Sequence, residues 1–262
     1  MAGSRFSISA QDLYARLGTA RAPVIVDVRP PVAFDADEVI LAGAIRRLPD
    51  AIAQWGPTLP PGRAVVVYCV HGHEISQGTA AALRAAGADA HYLEGGLAAW
   101  VERKLPTRIK TGASDKWVTR ERPKVDRIAC PWLVRRFIDP EAVFLYVPSE
   151  RVFAVAQQSG AVPYDIPGAD PFTHDGEFCS FDAFLEVFAL SDPALDTLAL
   201  IVRGADTGHC ELTPQSAGLL AVSLGLAATH PEDDHAMLEQ GMPVYDALFA
   251  WCRKDLRAHR TG

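Results

Sequence analysis

The stretch Val65–Ser76, VVVYCVHGHEIS, constrains this chain more than any other. The unbroken apolar run Val65-Val66-Val67-Tyr68 stops at Cys69. A loop centred on Gly72 follows, and a helical pattern, SQGTAAALRAAG, begins near Ser76. A short continuous apolar run reads as a strand buried on both faces, the habit of parallel sheets covered by helices. The thiol thus stands where a strand hands over to a helix. N–H groups at a helix start carry partial positive charge and bind anions. They also favour the reactive thiolate. Two readings are open on these residues: a nucleophile in an anion cradle, or a buried structural cysteine at a strand end.

The flanking sequence supports the parallel sheet. Ser9 precedes a helical pattern, AQDLYARLG, that Gly18 can end. Ala22–Val28 is a second continuous apolar run; Asp27-Val28-Arg29 closes it and Pro30-Pro31 forbids its continuation. Phe34–Ile40 is expected to form a short helix, Gly43-Ala44-Ile45 to lead into a short strand, and Asp50–Trp55 to form a brief helix. A turn at Leu59-Pro60-Pro61-Gly62 precedes the Val65 strand. Ala90–Leu93 is a last strand, and Gly95-Gly96 opens a helix over Leu97–Lys104. Strands alternating with helices predict an α/β fold, in which ligands bind at the carboxyl ends of the strands.

These motifs, in this order, resemble a single rhodanese domain across Phe6–Leu105. The resemblance rests on Asp27-Val28-Arg29, on Gly43-Ala44-Ile45, on Cys69 opening the six-residue loop CVHGHE, and on Leu93-Glu94-Gly95-Gly96 followed by Trp100. It implies a sulfurtransferase that carries sulfane sulfur as a persulfide on Cys69 and passes it from a small donor to a thiol or protein acceptor. No cofactor is needed for that transfer. The N–H groups of Val70, His71, Gly72, His73, Glu74 and Ile75 would hold the terminal sulfur or the donor's oxyanion, and Arg29 would line the pocket mouth. The physics agrees: a ring of N–H donors stabilises both thiolate and persulfide anion, and Gly72 lets the backbone curl so that they converge. The loop departs from the commonest family pattern, because Val70 and Glu74 stand where many members carry Arg and a small or basic residue. His71 and His73 can supply positive charge as pH falls. A phosphatase-type loop needs Arg six positions after the cysteine; Ile75 stands there and excludes that chemistry.

Length and charge bound the rest. The 262 residues suit two domains, and 49% hydrophobic content excludes a disordered chain. No apolar run reaches the ~20 residues of a membrane span, and no signal-peptide pattern follows Met1. Five scattered cysteines without a CxxC pair predict a reduced, cytoplasmic protein. Residues 1–105 are net neutral, 106–127 carry +4 and 128–262 carry −11. A whole-protein grip on nucleic acid is therefore not expected.

A linker is expected at 107–116, between domains at 5–106 and 117–258. The basic stretch Lys116–Lys124 reads as a strand, either a solvated edge or an anion or nucleic-acid contact. Helical patterns then dominate: Asp126–Ile138 with Pro131 inside, Ser149–Ser159, Phe181–Ala189 capped by Ser180, Asp192–Arg203, Gln215–Leu226, and Asp234–Leu256 with a kink or break at Gly241 or Pro243. Strands are expected at Val143–Val147 and Val162–Ile166, and a long loop at Pro167–Cys179. The class is a mainly helical α+β domain. Polar clusters occur at His174, Glu177 and Cys179, at Asp206, His209, Cys210 and Glu211, and at Asp233, Asp234 and His235. Imidazole and thiolate ligands suit Zn or another transition metal, with His174, Cys179 and Asp206 as candidate ligands, or these are ordinary loop residues. Arg127, Arg135 and Arg136 are able to bind an oxyanion or to serve as surface arginines. The apolar residues Leu219, Leu220, Val222, Leu224 and Leu226 are expected in the core.

The segments VDRIACPWLVRRFIDPEAVFLYVP, FTHDGEFCSFD, IVRGADT and YDALFAWC resemble the C-terminal domain of ChrB-type chromate-resistance proteins, over about Trp117–Leu256. Bacterial members of that family include fusions with a preceding rhodanese-like domain. The resemblance implies an association with chromate tolerance. Two alternatives to a sulfurtransferase follow: a chromate- or thiol-responsive sensor without turnover, or a metal-dependent activity in the second half.

Overall fold

The sheet of the first half is fully parallel, and its register brings the candidate nucleophile to the edge where ligands bind. The structure is a computed structural model that describes residues 5–110 and 115–261. The chain divides into two compact units, Met1–Lys110 with Arg136–Pro140, and Thr111–Arg135 with Glu141–Gly262.

In the first unit the elements run β1 (Ser7–Ile8), α1 (Ala10–Arg16), β2 (Val24–Asp27), α2 (Pro31–Ala36), β3 (Val39–Leu41), β4 (Ala44–Arg46), α3 (Ile52–Trp55), β5 (Val65–Tyr68), α4 (Glu74–Ala85), β6 (Ala90–Leu93), α5 (Gly96–Glu102) and β7 (Thr107–Ile109). Five strands form one sheet in the order β1-β6-β5-β2-β4, every pair parallel. All four β5 residues are buried, as the apolar run predicts. On one face Val24, Val26, Val65 and Val67 pack with Trp55 of α3 and Ala80 and Leu83 of α4. The intervening Ile25 and Val66 are also buried, as are Leu13 of α1 and Leu97 and Trp100 of α5. Trp100 donates to the Pro106 carbonyl at 2.9 Å, a core role. Tyr68 pairs in register with Asp27, so the ends of β5 and β2 are level.

Two expectations fail here. The helix expected over Phe34–Ile40 is instead α2 followed by the strand β3. The first residues of the expected linker form β7, which pairs antiparallel with β3. Residues 111–114 of that linker lie outside the described residues, and its last residue, Lys116, begins a strand.

The second unit runs β8 (Lys116–Arg120), α6 (Val125–Leu133), β9 (Val143–Val147), α7 (Val152–Ser159), β10 (Val162–Pro163), α8 (Ser180–Val187), α9 (Pro193–Asp206), α10 (Pro214–Thr229) and α11 (Asp234–Thr261). Its three-stranded parallel sheet has the order β10-β8-β9, so the basic β8 is central and not a solvated edge. Trp117 of β8 anchors an aromatic core: its ring lies 5.0 Å from Phe172 and 5.1 Å from Phe184. Phe172 thereby pins the long loop before α8 against the sheet. After α6 the chain takes a π-helical turn at Val134–Ile138, three residues past Pro131, whose missing N–H interrupts the helical ladder. α11 runs through Gly241 and Pro243 without a break. A side chain at Gly241 would lie 2.5 Å from Ile128 Cγ2, so the glycine serves close packing of α11 on α6. In α10, Leu219 is buried but Val222 and Leu224 are 45% and 46% exposed. The buried face is Ser216, Leu219 and Ser223, at i, i+3 and i+7. The leucines expected in the core alternate around the helix at 100° per residue. No described helix is long and apolar enough to cross a membrane.

Candidate functional site

Cys69 is the first residue beyond β5, and α4 begins five positions later at Glu74. Its side chain is nearly buried. The Sγ stands 3.3 Å from the Ser76 Oγ. Burial alone would raise the thiol pKa. Hydrogen bonding from the Ser76 hydroxyl and from the N–H groups of Ser76, His73 and His71 outweighs it, so the thiol lies below its ordinary value.

The loop holds this shape because its carbonyls are engaged elsewhere. The Leu97 N–H donates to the Cys69 carbonyl at 3.0 Å, and the Ala98 N–H to the Val70 carbonyl at 2.9 Å. The start of α5 thus draws these oxygens away from the sulfur. That approach requires two glycines. Gly72 has φ +72°, and a Cβ there would lie 2.4 Å from the Leu93 carbonyl. Gly96 has φ +57°, and a Cβ there would lie 2.4 Å from the Cys69 carbonyl. Both obstacles are backbone, which cannot swing aside. The motif Leu93-Glu94-Gly95-Gly96 is therefore one half of the cradle, and Cys69–Ile75 is the other.

The rim is polar. His71, His73, Glu74 and Ile75 are exposed, Val70 is half-buried, and the two imidazoles lie 5.9 Å apart. Arg29 does not belong to it, contrary to expectation. Its guanidinium is fully buried: Nε donates to both Asp27 oxygens at 3.1 and 2.9 Å, Nη2 to Asp27 Oδ2 at 2.6 Å and to the Val39 carbonyl at 3.0 Å, and Nη1 to Asp37 Oδ2 at 2.5 Å. The Tyr68 hydroxyl donates to Asp27 at 2.9 Å. The Asp27-Val28-Arg29 motif is thus a buried clasp tying the ends of β2 and β5 to β3.

In the second unit four polar residues meet at the carboxyl ends of β8 and β10. His174 Nε2 lies 3.1 Å from Asp206 Oδ2, 3.4 Å from Asp165 Oδ1 and 3.6 Å from Asp126 Oδ2. Asp126 opens α6, Asp206 closes α9, and His174 comes from the loop that Phe172 pins. Hydrogen bonds to Asp165 and Asp206 hold the His174 imidazole up to about 10. Burial, then Asp206 and Asp165, push the Asp126 carboxyl well above the usual carboxylate range. Arg120 and Arg127 face Asp165 Oδ2 at 3.0 and 3.3 Å. Arg127 is therefore an ion-pair partner and not a free oxyanion ligand. Arg135 pairs with Glu239 at 2.7 Å.

Of the expected metal ligands, His174 and Asp206 come together and Cys179 does not join them. The Cys179 thiol is buried and its pKa is raised by burial and by Asp126, while its own N–H caps α8 by donating to Asp182 at 3.0 Å. Asp126 takes its place in the group whose ligand atoms lie within 4.8 Å of one another. Sequence reasoning missed Asp126 and Asp165; the signal for Asp126 was an acid at a helix start directly after a strand. The other clusters have partners of their own: His209 pairs with Glu211 at 3.1 Å, Asp233 caps α11, and Asp234 accepts from the Arg122 N–H. His235 packs edge-on to Tyr146.

Known proteins match both halves. Residues 9–103 match the rhodanese-like domain family and residues 117–252 match the family "ChrB, C-terminal domain". The protein ChrB of Cupriavidus metallidurans is 36% identical over 155 residues, 59% of this chain and 45% of that protein. A probable adenylyltransferase/sulfurtransferase MoeZ of Mycobacterium tuberculosis is 28% identical over 39% of this chain and 26% of its own length. The matches thus span less than half of either relative. Among solved structures, a rhodanese-related protein from Thermoplasma volcanium is 28% identical, covering 38% of this chain and 95% of that one at a TM-score of 0.34. With its ChrB match extending over more than half its length, and a rhodanese-like domain ahead of it, the chain belongs to the ChrB C-terminal domain family.

Proposed function

We propose that the first unit is a sulfurtransferase that carries sulfane sulfur on Cys69, in a protein associated with chromate resistance. The observation that supports this most is the set of donors around Cys69: the Ser76 hydroxyl at 3.3 Å and the N–H groups of His71, His73 and Ser76. In the first half-reaction the Cys69 thiolate attacks the sulfane sulfur of the donor. A new S–S bond forms, the donor's S–S bond breaks, and its electron pair leaves with the donor remnant. In the second, an acceptor thiolate attacks the terminal sulfur and Cys69 departs as thiolate. No external oxidant or reductant is consumed. The N–H groups stabilise the anion at each stage.

The rim sets the preferred donor. Glu74 adds negative charge beside the loop, and Val70 offers none of the positive charge that an arginine would. A small persulfide is therefore favoured over the dianion thiosulfate.

Sulfur transfer from 2-hydroxyethyl persulfide, which carries at most one negative charge, and from thiosulfate to a thiol acceptor tests this. Transfer by the protein, faster with the persulfide and lost in Cys69→Ser, is expected. Equal rates for the wild type and Cys69→Ser would refute the proposal.

A further inference from the structure

We propose that Asp126, His174 and Asp206 bind a divalent transition-metal cation, one that prefers oxygen and imidazole ligands, at a site with open coordination positions. The site is independent of Cys69.

Geometry comes first. Ligands about 2.1 Å from one ion stand roughly 3.0 Å apart at a right angle and roughly 3.4 Å apart at the tetrahedral angle. His174 Nε2 lies 3.1 Å from Asp206 Oδ2 and 3.6 Å from Asp126 Oδ2. Both distances from the imidazole nitrogen are near those of one coordination sphere, and the three ligand atoms lie within 4.8 Å of one another.

Asp126 supplies a second observation. The residue is 1% exposed, and its Oδ1 has no hydrogen-bond partner among the described residues. Its other oxygen accepts only a 3.3 Å bond from the Phe181 N–H beside the imidazole. The neighbouring Cys179 thiol is a weak donor at best. A buried carboxylate oxygen without a partner is costly, and native structures rarely leave one. The nearby arginines are committed elsewhere: Arg120 and Arg127 to Asp165, and Arg203 to Asp182 at 2.8 Å. A dication would balance the charges of Asp126 and Asp206 and supply the partner that the buried Asp126 carboxylate lacks.

The surroundings fit a held ligand set. Asp206 Oδ1 accepts from the Asp126 N–H at 3.3 Å, which leaves Oδ2 facing the imidazole. Asp165 is fixed beside His174 by the Ser180 hydroxyl at 2.7 Å. Such outer contacts orient ligands in metal sites. Two oxygens and one imidazole nitrogen, with no sulfur, favour Mn²⁺, Fe²⁺ or Zn²⁺ over thiolate-seeking ions. The His174 and Asp206 side chains are 41% and 19% exposed, so the ion would keep positions for water or a substrate, as catalytic sites do and structural ones do not.

The test is Mn²⁺ titration of the chelator-treated full chain, read by loss of the free-ion electron paramagnetic resonance signal and by thermal midpoint, with Zn²⁺ as competitor. One equivalent should bind, Zn²⁺ should displace it, and the midpoint should rise by several degrees at saturation. His174→Gln and Asp206→Asn, at accessible positions, should each weaken binding at least about tenfold, whereas Cys69→Ser should leave it unchanged. Circular dichroism identifies any variant that has not folded, and the wild-type titration decides by itself. Free Mn²⁺ persisting to millimolar concentration, with no midpoint change from either ion, would overturn the site. So would full-affinity binding in both folded variants, since the cluster would then be only an imidazolium clamped by carboxylates.

Discussion

The Ser76 hydroxyl lies 3.3 Å from the Cys69 sulfur and 3.1 Å from the His73 carbonyl, to which it donates. One proton thus has two acceptors, and a thiolate at Cys69 draws it toward sulfur. Ser76→Ala removes that donor while the N–H groups remain. The pH profile of iodoacetamide alkylation reads the consequence. Thiolate appears as pH rises through the thiol pKa, and the lowered value of Cys69 sets the rise below that of a free thiol. In Ser76→Ala the rise should move up by about one pH unit, the effect of one hydrogen bond to a charged group. An unmoved profile would show that the N–H groups alone hold the anion.

Gly96 tests whether the second half of the cradle is needed. A Cβ at Gly96 meets the Cys69 carbonyl at 2.4 Å, and φ is +57°. Gly96→Ala should destabilise the fold by about 3 kcal/mol and lower sulfur transfer in the molecules that still fold. Urea denaturation beside the transfer assay separates the two effects. Wild-type stability and rate together would mean that the loop and α5 are not locked.

Arg29 divides a structural role from a substrate role. Its guanidinium is enclosed by Asp27, Asp37 and the Val39 carbonyl. Arg29→Met leaves Asp27 buried without its partner, so a loss of about 3–5 kcal/mol is expected by denaturant unfolding. A pocket-mouth residue would instead raise the KM for the donor and leave stability unchanged.

Glu74 tests the rim. Its carboxylate is exposed beside the anion loop. Glu74→Gln should raise kcat/KM for thiosulfate about two- to fivefold and that for a less charged persulfide by less, and the gain should shrink as salt is added. Equal gains for both donors, or a gain insensitive to salt, would point away from electrostatics.

The cradle was legible in the sequence because its pieces are local. The β5 run is buried on both faces, Cys69 follows it directly, and Gly72 and Gly96 sit where the backbone needs them. Other features depend on residues that meet only after folding. The partner of β3, β7, lies nearly seventy positions away, so Val39–Leu41 carries no local sign of pairing. Arg29 looked available for the same reason: nothing local shows that Asp37 and the Val39 carbonyl close around it. In the second unit, His174 and Asp206 stand out in the sequence as chemistry-bearing residues, whereas Asp126 marks only a helix start. Three separate elements bring them to one point, and burial of Asp126, which no local pattern reveals, gives that point its character.

The persulfide itself is the most direct test. The full chain is incubated with glutathione persulfide, freed of donor, and measured by intact mass spectrometry with peptide mapping. One added sulfur atom on Cys69, removed by a thiol acceptor and absent in Cys69→Ser, is the predicted result. No added sulfur on Cys69 with any sulfane donor, or the same addition in Cys69→Ser, would contradict it.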